Sequence, residues 1–334
     1  MAFIKSGHHG LFLPDAGVAF DGPVPREHEG SVFISHAHAD HTPQSRKLTV
    51  FASPATADLM RARGHTGTIH PVPFGETVRL PNAEVTLYPA GHILGSAMIF
   101  VESGNGSLLY TGDCRTPPSP VTEGFSLPDR PVDELIIEAT FALPLYKWEE
   151  HHILAGQIRR FAQETLEDGA TPVMFCYNLG KAQEVMHILA GGGSEDRNVR
   201  PFGVQIHEAG VALCRVYEKY GVELGNWESF NPETLAGKVL ITPATSPDSP
   251  ILGRVQNPRI AYISGWAALE YRAGQMNADT HIPLSDHLDF FELLSVCRNL
   301  APKHVWLTHS PNPDVALHFL ELEGISAGTL VTFR

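Results

Sequence analysis

Cysteine is scarce in this chain, basic residues are outnumbered, and no apolar stretch is long. The four cysteines, Cys114, Cys176, Cys214 and Cys297, lie far apart and form no CxxC pair. That argues against a thiolate zinc knuckle or a disulfide framework, and leaves them as small buried apolar residues. No run approaches the roughly 18 consecutive apolar residues of a membrane span. The opening residues MAFIKSGHHG hold no long apolar h-region, so no secretory leader and a cytoplasmic location are expected. Lysine and arginine total 24 against 37 aspartates and glutamates, a formal net charge of -13. An extended nonspecific nucleic-acid coat needs the opposite sign. A nuclease is still compatible, because bound divalent cations reverse the field at a site. Internal repeats and low-complexity linkers are absent as well.

What is there is enough apolar material for real cores. The 334 residues are 43% hydrophobic and 18% charged, which suits one large domain or two smaller ones. Residues 10–115 read as short β-rich runs punctuated by Gly, Pro, Asn and Asp, such as GVAFDGP, SVFIS, AEVTLYPAGH and SLLYTGD. SPATADLMRARG between them predicts a helix with Ser53 as N-cap. After Glu149 the texture changes to alternating helices and strands: EEHHILAGQIRRFAQETLEDGA, TPVMFCYN, LGKAQEVMHILAGGG, PFGVQIHE, GVALCRVYEKYG and GKVLITPAT. This alternation predicts an α/β unit on a parallel sheet. RIAYISG, LDFFELLSVCRNLA and HVWLTHS then give a strand, a helix and a strand.

Eighteen histidines is a high count, and their placement is uneven. The stretch FISHAHADHT carries His36, His38, Asp40 and His41 directly behind an apolar run. If SVFIS is a strand, the motif fills the loop at its carboxyl end. Side chains two apart on extended backbone point the same way, so His36 and His38 can clasp one ion. Asp40 and His41 follow at a turn and can face a second. Imidazole with carboxylate suits Zn²⁺, Mn²⁺ or Fe²⁺. Three further residues repeat the pattern of a ligand just past a strand: His92 in AGHILGSA, Asp113 in YTGD and His309 in LTHS. A lone strand-end His or Asp is usually a cap or a turn residue. Recurrence of one placement four times argues for a shared site.

The order HxHxDH, AGHILGSA, YTGD, EATF, SDHLDF and LTHS resembles the metallo-β-lactamase superfamily, and within it the β-CASP nuclease branch. GLFLPDAGVAFDGP, ISGW and SDHLDFFELL are similar to the bacterial DNA-ligase-associated exonuclease-like group. The resemblance spans nearly the whole chain, and its metal motifs specify the fold far more than the substrate. It implies an αββα sandwich from residues 1–168 and 259–334, interrupted by an inserted α/β β-CASP domain over 169–258. It implies two divalent ions, Zn²⁺ or Mn²⁺. One would take His36, His38 and His92, the other Asp40, His41 and His309, with Asp113 bridging. An early aspartate behind the ligands is expected at Asp21, with Asp15 as the rival.

The β-CASP likeness also implies a general acid at His287 in LSDHLDF, held by Glu138 in IIEATF. A carboxylate beside a histidine raises its pKa toward the range of a general acid. His287, Glu138 and Asp40 make up the expected catalytic set. The ordinary alternatives are a buried structural acid at Glu138 and a helix-start residue at His287. Weaker candidates for substrate contact are Lys181 in NLGKAQE, Ser264 in ISGW, and Arg272, with Trp266 and Tyr271 available for base stacking. A solvated lysine and a core tryptophan are equally ordinary outcomes. His207 is a further candidate from a strand end, and the pairs His8–His9 and His151–His152 read as surface residues. The expected activity is a two-metal nuclease on nucleic acid, single-stranded DNA favoured over RNA. An association with a DNA ligase and a helicase is part of that expectation. An RNA-processing nuclease, a non-catalytic scaffold and a small-ester hydrolase are the alternatives.

Overall fold

Residues 97–101 read Ala-Met-Ile-Phe-Val, apolar at every position, and such a strand needs a sheet covered on both faces. The computed structural model shows how that covering is arranged. It describes residues 5–7, 10–22, 24, 28, 30–43, 48, 50–192, 200–245, 249–269 and 277–330. The chain divides into two compact units: Met1–Lys147 with His287–Arg334, and Trp148–Asp286.

The first unit holds two sheets. One runs in the order β1 (Lys5–Gly7), β2 (Gly10–Leu13), β3 (Val18–Phe20), β4 (Ser31–Phe33), β5 (Val50–Ala52) and β6 (Ile69–Pro71). Helix α1 (Pro54–Ala62) packs on β6. Ser53 caps it as predicted, accepting a hydrogen bond from the Thr56 amide at 3.1 Å. The other sheet runs β19 (Ala327–Thr329), β18 (His304–Thr308), β11 (Glu134–Glu138), β10 (Gly106–Tyr110), β9 (Ala97–Ser103), β8 (Ala83–Pro89) and β7 (Thr77–Arg79). Period-two alternation sorts its residues into two cores. Ala97, Ile99, Val101, Leu108, Tyr110 and Ile136 meet Val18, Phe20 and Phe33 of the first sheet. Met98, Phe100, Leu109, Leu135, Ile137, Val305 and Leu307 face the other way. They pack on α5 (Phe290–Leu300) and α6 (Asp314–Leu322). The first unit is thus the expected αββα sandwich.

The pairing also fixes where loops emerge. β3 and β4 are parallel, and so are β10, β11 and β18. β8 reaches the same direction through two antiparallel pairings with β9. The carboxyl ends of these strands therefore gather at one edge of each sheet, the usual place for a site in sheets of this kind.

The second unit is built on one parallel sheet, ordered β14 (Trp227–Ser229), β13 (Val204–Ile206), β15 (Val239–Thr242), β12 (Thr171–Phe175), β16 (Pro258–Ile263) and β17 (Thr280–Ile282). Helices α2 (His151–Glu167), α3 (Lys181–Leu189) and α4 (Glu208–Lys219) complete it. The unit reaches beyond the 169–258 expected from sequence at both ends. The reason is packing: α2 lies against β12 and α3, and β16 and β17 extend the sheet past residue 258. No helix among the described residues is long and apolar enough to cross a membrane.

Candidate metal centre

β4 stops at Phe33, and the chain bends at Ser35. Ser35 is held by its carbonyl, which accepts from the Ala97 amide at 2.7 Å. The next residue, His36, is fully buried. Its Nε2 lies 2.9 Å from His38 Nδ1, which in turn lies 3.1 Å from His92 Nε2. Asp113 Oδ2 stands 3.6 Å from His36 Nε2 and 3.9 Å from His92 Nε2. Three imidazole nitrogens and one carboxylate oxygen thus converge on a single point. Three rings aimed at one another can share few protons between them, and burial with the neighbouring His41 holds the His36 pKa well below its ordinary value. Unprotonated nitrogens facing one centre are the donor set of a tetrahedral divalent ion, so these residues fit a metal.

A second group, His41, Asp113 and His309, gathers on the other side of Asp113. His41 Nε2 is 3.5 Å from Asp113 Oδ2, and His309 Nδ1 is 3.4 Å from Asp113 Oδ1. Asp113 is shared by both groups, the position expected of a bridge. Burial works to raise its pKa, but the His41, His309, His287 and His36 imidazoles outweigh this and hold it well below the carboxylate range. Gly112 makes room for this loop. Its φ is +55°, and a Cβ there would meet Ser35 Cβ at 2.5 Å. Asp40 stands apart from the second group. Its carboxylate is 81% exposed and lies 3.8 Å from His41 Nε2, because the turn at 39–41 directs it outward.

Asp21 lies directly behind His41. It sits just past β3 with φ +56°, a backbone region that Asp tolerates better than most residues. Its Oδ1 accepts from the Ser35 amide at 2.7 Å. Its Oδ2 receives the Ser35 hydroxyl, the Tyr110 hydroxyl and His41 Nδ1, each at 2.8 Å. His41 therefore donates from Nδ1 and presents Nε2 to the metal side. Burial lowers the His41 pKa, but the Asp21 and Asp113 carboxylates outweigh it and raise it to about 9. The rival Asp15 instead accepts from Asn105 on the exposed surface. Ser35 and Tyr110 were not among the sequence candidates. Their only sequence signal is adjacency, Ser35 before the motif and Tyr110 opening YTGD.

The last residue of β11, Glu138, is fully buried. His287 donates to its Oε1 from Nδ1 at 2.8 Å. The Cys114 and Thr140 amides also donate to this carboxylate, at 3.4 and 3.1 Å. Burial works to raise the Glu138 pKa, and the adjacent His287 imidazole reverses this, leaving it below its usual value. The His287 ring lies 4.7 Å from that of His92, and Asp113, Glu138 and His287 offer ligand-type atoms within 4.8 Å of one another. The Glu138–His287 pair thus adjoins the histidine–aspartate cluster.

The remaining candidates lie in the second unit. Lys181 is neither solvated nor free to hold a phosphate. It is 1% exposed, and its Nζ is 3.0 Å from Glu184 Oε2 and 3.7 Å from Asp286 Oδ2. Glu184 also bonds His151 at 3.1 Å, so that histidine is no surface bystander. Ser264 accepts from the Trp266 amide and caps a short 3-10 turn. His207 caps α4 by accepting from the Ala209 amide. Tyr271, Arg272, His8 and His9 lie outside the described residues.

Residues 13–172 match the beta-lactamase superfamily domain profile. Three curated relatives are similar over longer stretches. A "Probable DNA ligase" of Opitutus terrae is 36% identical over 304 residues, 90% of this chain and 28% of that protein. An "RNase J-like protein" of Methanocaldococcus jannaschii is 30% identical over 243 residues, 62% of this chain and 56% of that protein. The "5' exonuclease Apollo" of Gallus gallus is 28% identical over 308 residues, 88% of this chain and 62% of that protein. The chain therefore spans less than two thirds of the length of each.

Proposed function

We propose that this chain, whose residues 13–172 match the beta-lactamase superfamily domain profile, is a two-metal nuclease that hydrolyses phosphodiester bonds in single-stranded DNA from an end. The observation that carries this reading is the Glu138–His287 pair beside the His92 ligand. A phosphodiester releases an alkoxide, which needs a proton from a placed acid. His36, His38 and His92 would hold one ion, and His41 and His309 the other, with Asp113 between them, while Asp40 would have to turn inward to join the second. Zn²⁺ or Mn²⁺ bound there would lower the pKa of a water and neutralise charge on the phosphoryl oxygens.

The chain's own groups do the rest. Glu138 accepts from His287 Nδ1, which leaves Nε2 to carry the proton given to the leaving oxygen. Asp21 fixes the His41 ring so that its Nε2 cannot turn away. The preference for DNA rests on the ligase-named relative, with action in repair beside a ligase and a helicase in the cytoplasm as the setting. The RNase J-like relative makes RNA processing the second reading.

The test is product mapping on matched end-labelled DNA and RNA strands with Mn²⁺ and Zn²⁺. Stepwise shortening of single-stranded DNA, lost together with metal content in Asp113→Ala, is the expected result. Faster cleavage of RNA would replace the DNA reading with the RNA one. Intact strands under both metals would remove the nuclease reading.

A further inference from the structure

A cavity of about 210 Å³ opens between the metal-binding loop and the end of α1. Ala39, Thr42 and Pro43 line it from the loop, and Met60, Arg63 and Thr66 from the helix end. Ala39 and Thr42 flank Asp40 and His41, so the cavity adjoins the second metal group along the chain.

Its size and lining narrow the occupant. Small-molecule pockets usually measure about 300–1,000 Å³. This one is smaller, which suits a phosphate with part of its sugar and not a whole cofactor. Arg63 supplies the charge. Its Nη1 donates to the Ala37 carbonyl at 3.1 Å, which pins the guanidinium against the metal loop. The Asp40 carboxylate is its nearest opposite charge, and Ala37 accepts its one hydrogen bond among the described residues, so the exposed remainder of the fork can still meet a phosphate. A planar fork of donors matches phosphate oxygens two at a time. Thr66 adds an exposed hydroxyl, while Met60 and Pro43, both buried, form the floor. Arg61, two residues earlier, is paired with Asp58 at 3.3 Å and does not line the cavity, so Arg63 carries the charge alone. A cationic spot is conspicuous on a chain of net charge -13, where most of the surface repels a strand.

We propose that this cavity holds a phosphate of the nucleic-acid strand next to the one being cut, gripped by Arg63. The inference rests on the nuclease reading above. The competing role for Arg63 is purely structural, because a cation near a helix C-terminus also offsets the helix dipole.

The experiment is equilibrium binding of a fluorescent, non-cleavable phosphorothioate single strand to the Mn²⁺-loaded protein across a salt series. Arg63→Ala is expected to weaken binding about tenfold and to make the salt slope shallower by about 1, with Arg63→Lys recovering part of the loss. Strands with a 5′-phosphate and a 5′-hydroxyl are compared. A loss confined to the phosphorylated strand assigns the cavity to a terminal phosphate, and an equal loss assigns it to an internal one. Unchanged affinity and slope, with only a lower melting temperature, would overturn the proposal while leaving the nuclease reading intact. A wild-type protein that binds neither DNA nor RNA would instead remove the nuclease reading, and this inference with it.

Discussion

Residue by residue, the site is a set of hydrogens placed by carboxylates. His287 is the clearest case, since Glu138 holds its Nδ1 proton and the ring lies outside the His36–His38–His92 group. His287→Ala should keep both ions and slow strand cleavage by roughly 10²–10⁴, the usual worth of a general acid. Metal analysis beside single-turnover rates checks this, and a wild-type rate would end the assignment. Asp21 makes a different prediction. A free imidazole titrates near 6.5, and the folded His41 without metal near 9. The fold then binds one more proton than the unfolded chain between those values. That contribution to stability is fully present below about pH 6.5 and is lost as pH rises through 9. Melting of chelator-treated protein across that window should show the slope, and Asp21→Asn should flatten it. Asn also tolerates the positive φ at this position, so the change removes charge with little backbone strain. The same variant should weaken metal binding by about 10- to 100-fold. The residues that gather at the candidate centre were legible in sequence because each sits at a strand end in a distinctive short motif. Ser35 and Tyr110 were not, because serine and tyrosine carry no ligand chemistry, and only the fold brings them to Asp21.

At the scale of elements, local signals served where the element depends on local physics. The α1 start at Ser53, the α2 stop before Gly169 and the alternating second-unit strands all follow from caps, glycines and period. The three-residue strands β14, β17 and β19 were not readable, since they exist only by pairing with neighbours. Helix α6 was missed as well; its preceding prolines, Pro311 and Pro313, read as loop and hid a helix start at Asp314. Lys181 fell to the same limit. A helix-start lysine looks solvated in sequence, and only the tertiary partners Glu184 and Asp286 show it buried. Ser53 ties an element to the site. Its hydroxyl donates to the Gly95 carbonyl at 2.6 Å while accepting from Thr56, and Thr56 also donates to Gly95 at 2.8 Å. Gly95 lies three residues past His92, so the α1 cap anchors that ligand's loop. Ser53→Ala should destabilise the protein by about 1–2 kcal/mol in chemical denaturation. It should also reduce metal occupancy, whereas a cap that served α1 alone would leave the metal content unchanged.

For the molecule as a whole, charge decides how a nucleic acid is held. A net charge of -13 means that a strand gains attraction only where cations are concentrated. Ions bound at the candidate centre would supply that concentration, and Arg63 would add one fixed positive group at the cavity by the metal loop. Proteins that coat a strand neutralise many phosphates and lose affinity steeply with salt. For single strands the slope of log affinity against log salt is about -0.7 per phosphate contacted. An engagement limited to the metal centre and its immediate neighbours involves about four phosphates, which predicts a slope near -3. Titration of a single strand between about 50 and 200 mM salt, with metal held constant, measures it directly. A slope of about -6 or steeper would require eight or more contacts, and so an extended basic track that the composition argues against. The shallow slope carries a kinetic corollary. With weak long-range attraction, association should change little with ionic strength, and grip on the strand should come from contacts made only once a phosphate has reached the ions.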